Sequence, residues 1–189
     1  MSARLFVISG PSGVGKGTLI RRARELGEQL AVATSATTRP ARSDEHDGRE
    51  YHFLSVDEFT RRAEAGEFLE HVTYSGNRYG TLRSEVDRRL RNGESVVLEI
   101  EVQGAREIKR RIPDAVLVFV EPPTFDDLER RLRARDTDTP QEIAHRIEIA
   151  RDEMKAKPEF DRTIVNDSVD RAAHELVRVV REATEEETR

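Results

Sequence analysis

The sequence predicts a three-layer α/β fold: a parallel central sheet of about five strands with helices on both faces, interrupted once by a small α+β insertion. Two observations predict it. Short, continuous apolar runs, Leu5–Ile8, Val96–Ile100 and Val116–Val120, alternate with segments whose apolar residues recur at helical spacing, the signature of strands buried on both faces. Between Ser35 and about Gly80 that alternation breaks, and shorter strand-like runs separated by Pro and Gly take its place. With 189 residues the chain is long enough for one domain with a sizeable core and too short for two comfortable ones.

The first strand, Leu5–Ile8, runs into a loop carrying Gly10, Gly13, Gly15 and Gly17, and Leu19, Ile20, Ala23 and Leu26 then stripe a helix. Leu30–Thr38 reads as a second strand, and Pro40 and Gly48 stop the regular sheet beyond it. Tyr51–Leu54 is a short strand. Ser55 with Glu58 three residues later is a capping box that opens a small helix through Ala65, ended by Gly66. Phe68–Tyr74, the turn Ser75-Gly76-Asn77 and Arg78–Thr81 form a hairpin.

From Leu82 the βα alternation resumes. Leu82, Val86 and Leu90 stripe one helix, ended by Asn92-Gly93, and after the strand Val96–Ile100 the next is striped by Val102, Ala105, Ile108 and Ile112. After Val116–Val120, Thr124 opens a helix with Phe125, Leu128 and Leu132 inward. Thr139, Pro140 and Glu142 mark the start of another with Ile143, Ile147, Ala150 and Met154 inward. Thr163–Val165 is the last strand. Ser168 caps the closing helix with Leu176, Val179 and Val180 inward, and Thr184–Arg189 reads as a frayed tail.

Composition excludes several classes. The chain has no Cys, so a disulfide framework and Cys-ligated zinc are ruled out. The first strand begins too early for a signal peptide, and no apolar run approaches a membrane span, so the cytoplasm is the expected compartment. Net charge is −5, which gives no general attraction for nucleic acid, so an anionic ligand would need locally concentrated arginines. Nothing in the residues decides between a monomer and a homo-oligomer.

The strand–glycine loop–helix at residues 4–18, RLFVISGPSGVGKGT, points to phosphate binding. Glycines let successive N–H groups turn toward an anion, the helix start adds its positive dipole end, and Lys16 adds a point charge. The common pattern G-x-x-x-x-G-K-[ST] ends in a hydroxyl that reaches Mg²⁺. Here Gly17 takes that slot and Thr18 comes one residue later.

Further motifs follow in order: Ser35-Ala36-Thr37-Thr38-Arg39-Pro40-Ala41-Arg42, Gly48 with Tyr51, Phe68-Leu69-Glu70, and Ser75-Gly76-Asn77-Arg78-Tyr79-Gly80-Thr81. Glu99-Ile100-Glu101-Val102-Gln103-Gly104 and Val165-Asn166-Asp167 complete the series. From about residue 4 to 180 the chain resembles the guanylate kinases, nucleoside monophosphate kinases of the P-loop class. The resemblance implies transfer of the γ-phosphoryl group of ATP to GMP, with dGMP as a further acceptor, and Mg²⁺ accompanying ATP. It implies a core of residues 1–34, 82–132 and 150–189, a GMP-binding insertion of residues 35–81 and a lid of residues 133–149.

By the same resemblance, Gly10, Pro11, Ser12, Gly13, Val14, Gly15, Lys16, Gly17 and Thr18 hold ATP together with Arg133 and Asn166. Arg39 and Arg42 grip the GMP phosphate, a role suited to a guanidinium fork, with Tyr51 and Tyr79 as hydroxyl donors. Glu70 accepts the two guanine donors N1–H and N2–H, Ser35 and Thr81 donate to O6, and Glu101 lies nearby. Arg135 and Arg146 close over the reacting phosphates from the lid, and Lys16, Arg39, Arg42, Arg135 and Arg146 carry the catalysis. Mg²⁺ is expected mainly on water and the nucleotide phosphates, with Thr18 or Glu99 as protein contacts.

Taken one at a time these residues have plainer readings. Arg39 and Arg42 suit a solvated basic loop, Glu70 a surface carboxylate, Arg133 a solvated helix face. A guanylate-kinase-like module that binds phosphopeptides without catalysis is the alternative from another class, and the intact Lys16 loop speaks for catalysis. Glu101 stands where an Asp is more usual in the family.

Overall fold

The computed structural model describes residues 3–27, 30–74, 76–134 and 140–186. Ser75, Arg135, Thr139 and the last three residues of the expected tail, 187–189, lie outside them. The central sheet has five parallel strands: β1 (Leu5–Ser9), β2 (Ala31–Val32), β7 (Val96–Glu99), β8 (Val116–Glu121) and β9 (Arg162–Val165), in the order β2-β7-β1-β8-β9. The second sheet has four: β3 (Ser35–Thr37), β4 (His52–Phe53), β5 (Phe68–Tyr74) and β6 (Asn77–Leu82), in the order β4-β3-β6-β5. Its helix is α2 (Val56–Glu64), whose start is held by the Ser55 side chain accepting the Glu58 N–H. The insertion expected from the broken alternation is therefore a sheet of its own.

β1 lies in the centre, and its residues alternate between the two faces, as strand geometry requires. Phe6 and Ile8 pack into one core with Leu19, Ile20 and Ala23 of α1 (Lys16–Glu25). The same core takes Leu128 and Leu132 of α5 (Phe125–Arg133) and Leu176 and Val180 of α7 (Val169–Glu186). Leu5 and Val7 face the other core, with Val86 of α3 (Arg83–Arg91) and Ala105 and Ile108 of α4 (Val102–Arg111). Burial on both faces accounts for the unbroken apolar runs. Among the described residues no helix is long and apolar enough to cross a membrane.

Two expectations are corrected. Leu30–Thr38 is not one strand: β2 pairs with β7 in the central sheet, whereas β3 pairs with β6 in the second, so the chain changes sheets between Val32 and Ser35. The tail is not frayed from Thr184, because α7 continues to Glu186, with Thr184 buried and its hydroxyl donating to the Val180 carbonyl at 3.1 Å. In α6 (Pro140–Met154) the inward stripe holds Ile147 and Ala150 as expected, with Met154 half-buried, but it also contains Glu153, 8% exposed.

Candidate active site

The carboxyl ends of β1 and β7 open, beside the second sheet, into a cleft of about 450 Å³. Crevices at the carboxyl ends of parallel strands are where α/β sheets take ligands. A larger hollow of about 970 Å³ lies against Leu30, Ala31 and Ser95, at the amino ends of β2 and β7. None of the motif residues lines it.

The phosphate loop joins β1 to α1 and is held from behind. Asn166, 3% exposed at the end of β9, donates from Nδ2 to the Val14 carbonyl at 2.8 Å. Arg131 of α5 donates to the same carbonyl at 3.2 Å and to the Asn166 carbonyl at 3.1 Å. Val14 N–H turns back to Pro11 O. Both backbone groups of Val14 therefore serve the loop's own shape. Gly15 has φ +95°, and a Cβ there would stand 2.8 Å from Asn166 Nδ2, so the close approach of Asn166 requires glycine. Ser12 N–H donates to Glu153 Oε2 at 3.1 Å. Lys16, 8% exposed, folds over the loop, with Nζ donating to Gly10 O at 2.7 Å.

Gly17 and Glu99 fit each other. A Cβ on Gly17 would lie 3.1 Å from Glu99 Oε2, and the Gly17 N–H bonds to that carboxylate. Glu99 stays open to solvent on the cleft floor, yet protein crowds it on most sides. That crowding and the charge of Glu101 push its carboxyl up, against the pull of Lys16. Glu153 is also pushed up, first by burial and then by Glu101. Among the described residues no three acidic, His or Cys side chains form a metal cage.

Across the cleft, register brings three of the expected base-recognition residues together. Thr81 of β6 is paired with Ser35 of β3 on one side and Glu70 of β5 on the other. Glu70 is 2% exposed, and Thr81 Oγ1 donates to its Oε1 at 2.8 Å. Burial raises the Glu70 carboxyl to about 7, partly opposed by the Thr81 bonds and Arg111. Gly104 in α4 makes room for it, since a Cβ there would meet Glu70 Oε2 at 2.8 Å. Thr81 itself is fully buried behind Glu70, and its hydroxyl proton is already used there. Ser35 and Glu70 line the cleft.

The guanidinium of Arg39 is already engaged. Nη2 contacts both Glu45 oxygens, at 2.7 and 2.9 Å, and Nη1 donates to Pro40 O. It lies 5.5 Å from the Tyr51 ring centre. The Arg42 N–H donates to the same Glu45 carboxylate at 2.8 Å, and this double contact holds the Glu45 carboxyl below its ordinary value. Tyr51 packs edge-on to Tyr79, and burial pushes its hydroxyl up to about 12, so it is a donor at neutral pH. Arg39, Arg42, Tyr51 and Tyr79 all line the cleft, as do Lys16, Glu99, Glu101 and Arg146.

Asn166, expected on ATP, stands behind the loop and does not line the cleft, and two further expected residues are not brought in. Arg133 pairs with Glu129 on its own helix, at 2.6 Å, and does not line the cleft. Thr18 is exposed and does not line it either. Three contributors carry no motif of their own: Arg131, Glu45 and Glu153. Only Arg131 left a signal, since it follows the inward Leu128 by three residues on the same helix face.

A loop of glycines and one lysine at a helix start, facing a pocket with a buried carboxylate and paired arginines, defines a P-loop nucleotide-binding protein of the kinase type. A family model described as guanylate kinase matches residues 2–183. The chain belongs to the guanylate kinase family. It is 49% identical over 176 residues to a guanylate kinase of Frankia casuarinae, covering 93% of this chain and 96% of the relative. To the guanylate kinase of Rubrobacter xylanophilus it is 48% identical over 178 residues, with 94% and 93% covered. The crystal structure of guanylate kinase from Anaplasma phagocytophilum superposes with a TM-score of 0.79 at 29% identity, over 96% of this chain and 86% of that one.

Proposed function

We propose the following division of labour for the activity that family membership brings, ATP + GMP ⇌ ADP + GDP. The observation that carries it is the Ser35–Thr81–Glu70 row, a buried carboxylate facing Lys16 across one cleft. Guanine presents two donors beside one acceptor. Ionised Glu70 accepts N1–H and N2–H, Ser35 donates to O6, and Thr81 acts behind Glu70, fixing its orientation. Adenine reverses that pattern and leaves the buried carboxylate facing an acceptor, which supports discrimination of ~10⁴-fold or more.

Arg42, Arg39 and the Tyr51 and Tyr79 hydroxyls hold the GMP phosphate, with Glu45 keeping the Arg39 fork in place. Lys16 leaves Gly10 O for the β- and γ-phosphates, and the loop N–H groups line the same anion. Arg146 meets the charge that spreads over the transferring group. The residues present suit Mg²⁺ arriving with ATP: the Glu99 carboxylate lies beside Gly17, and among the described residues there is no all-protein cage, which is how Mg²⁺ is usually held in phosphoryl-transfer sites. Bound there, the ion supplies neutralisation of phosphate charge. Residues 35–81 act as the GMP-binding segment and residues 133–149 as a lid. A cytoplasmic location suits an enzyme that works on free nucleotides, and dGMP, which keeps the base and phosphate, is accepted as well. An ADP-release assay with GMP, dGMP, AMP and UMP tests the assignment. Turnover with GMP and dGMP only is expected, and equal turnover with AMP would refute the Glu70 role.

A further inference from the structure

We infer that Glu153 is a positioning residue that ties helix α6, and Arg146 upon it, to the phosphate loop through the Ser12 amide. The inference rests on the functional reading above. Glu153 lies 141 residues from Ser12, is 8% exposed, and accepts the Ser12 N–H at 3.1 Å. An acidic side chain this deep is unusual on an otherwise apolar helix stripe. Ser12 sits two residues after Gly10, the residue that Lys16 grips, so the amide that Glu153 holds belongs to the same turn that shapes the phosphate cradle.

Arg146 precedes Glu153 by seven residues. At 100° and 1.5 Å per residue this places both on one face of α6, about 10 Å apart along its axis. Both open onto the cleft or the groove beside it. Tilting α6 away from the loop would therefore lengthen the Glu153–Ser12 bond and withdraw Arg146 together. Glu101 lines the same groove as Glu153, and its Oε2 is buried with no hydrogen-bond partner among the described residues. Glu153 lines the neighbouring groove and not the substrate cleft itself. It acts through Ser12 and through the placement of Arg146.

The test compares Glu153→Ala and Glu153→Gln with the parent enzyme by steady-state kinetics in both substrates. Gln keeps an oxygen for the Ser12 N–H and gives Glu101 an amide donor, so it should stay within threefold of the parent. Ala removes the acceptor, and kcat/KM for ATP should fall by ~10-fold or more, the cost of leaving the Ser12 N–H without its partner, while KM for GMP stays within twofold. Glu153→Asp, one methylene too short for Ser12, should behave like Ala and serves if Ala does not fold. Gln falling as far as Ala, or KM rising equally for both substrates, would overturn the inference. A parent enzyme with no GMP-dependent turnover would instead overturn the functional reading on which it rests.

Discussion

Replacing Glu70 by Gln should make the protein more stable at alkaline pH while removing its use of GMP. Both effects follow from one buried carboxylate. Its titration midpoint moves from the ordinary 4.5 to about 7 in the folded chain, chiefly through burial. The folded state thus holds its proton more tightly than the unfolded state. The stability this contributes is complete below about pH 4.5 and is lost as pH rises through about 7. At 1.36 kcal/mol per pH unit the full loss is ~3 kcal/mol, most of it between pH 5 and 8. Gln has no ionised form, can still accept the Thr81 hydroxyl proton, and escapes the loss.

In a chain of this length ~3 kcal/mol corresponds to ~6–12 °C in Tm. The variant should therefore melt well above the parent at pH 8 and much closer to it at pH 5. Against GMP the outcome reverses. The amide N–H₂ of Gln faces a base edge that offers donors, so two charge-assisted hydrogen bonds of ~1.5–3 kcal/mol each are forfeited, or ~10²- to 10⁴-fold in kcat/KM for GMP. Thermal melts at the two pH values and GMP kinetics at saturating ATP measure both. A Tm gap independent of pH would refute the burial reasoning, and GMP kinetics within threefold of the parent would refute the recognition reasoning.

Other substitutions separate the remaining roles. Arg146→Ala should lower kcat by ~10²-fold or more with KM for GMP little changed, as expected for a donor that acts on transition-state charge; kcat within a factor of a few would remove Arg146 from the chemistry. Glu45→Ala frees the Arg39 fork that it holds at 2.7 and 2.9 Å and should raise KM for GMP by ~10-fold, whereas a fall in KM would show that Glu45 competes with the phosphate. Gly17→Ser puts a Cβ 3.1 Å from Glu99 Oε2, a contact relieved by a shift of a few tenths of an ångström. Turnover at saturating Mg²⁺ should change by less than ~10-fold, because a Mg²⁺ ion held mainly by nucleotide phosphates and water needs no loop hydroxyl; a gain of ~10²-fold would show that the hydroxyl is the missing ligand.

What the sequence made legible is set by how local each cause is. The strand–loop–helix at residues 4–18 was readable because glycine spacing and the apolar run before it act on neighbouring backbone. The same holds for the cap at Ser55, whose side chain accepts from the N–H three residues on, as its spacing to Glu58 implied. Leu30–Thr38 misled because β-branched residues favour extended backbone whichever sheet receives it, and nothing in LAVATSATT marks the change of partner from β7 to β6. Side-chain partnerships across long separations were hidden for the same reason. Thr81 looked like a donor for the base, yet its proton goes to Glu70, eleven residues away in sequence and adjacent only through the hairpin register. Glu45 carries no motif, and only the loop's fold brings Arg39 onto it. Glu153 sat beside an apolar stripe as one more charged helix residue, and only the loop's return past α6 gives it Ser12. A residue whose role is fixed by a partner's position gains its meaning from tertiary structure, so the base-recognition row and the loop's supports are properties of the fold, although every residue in them was visible from the start.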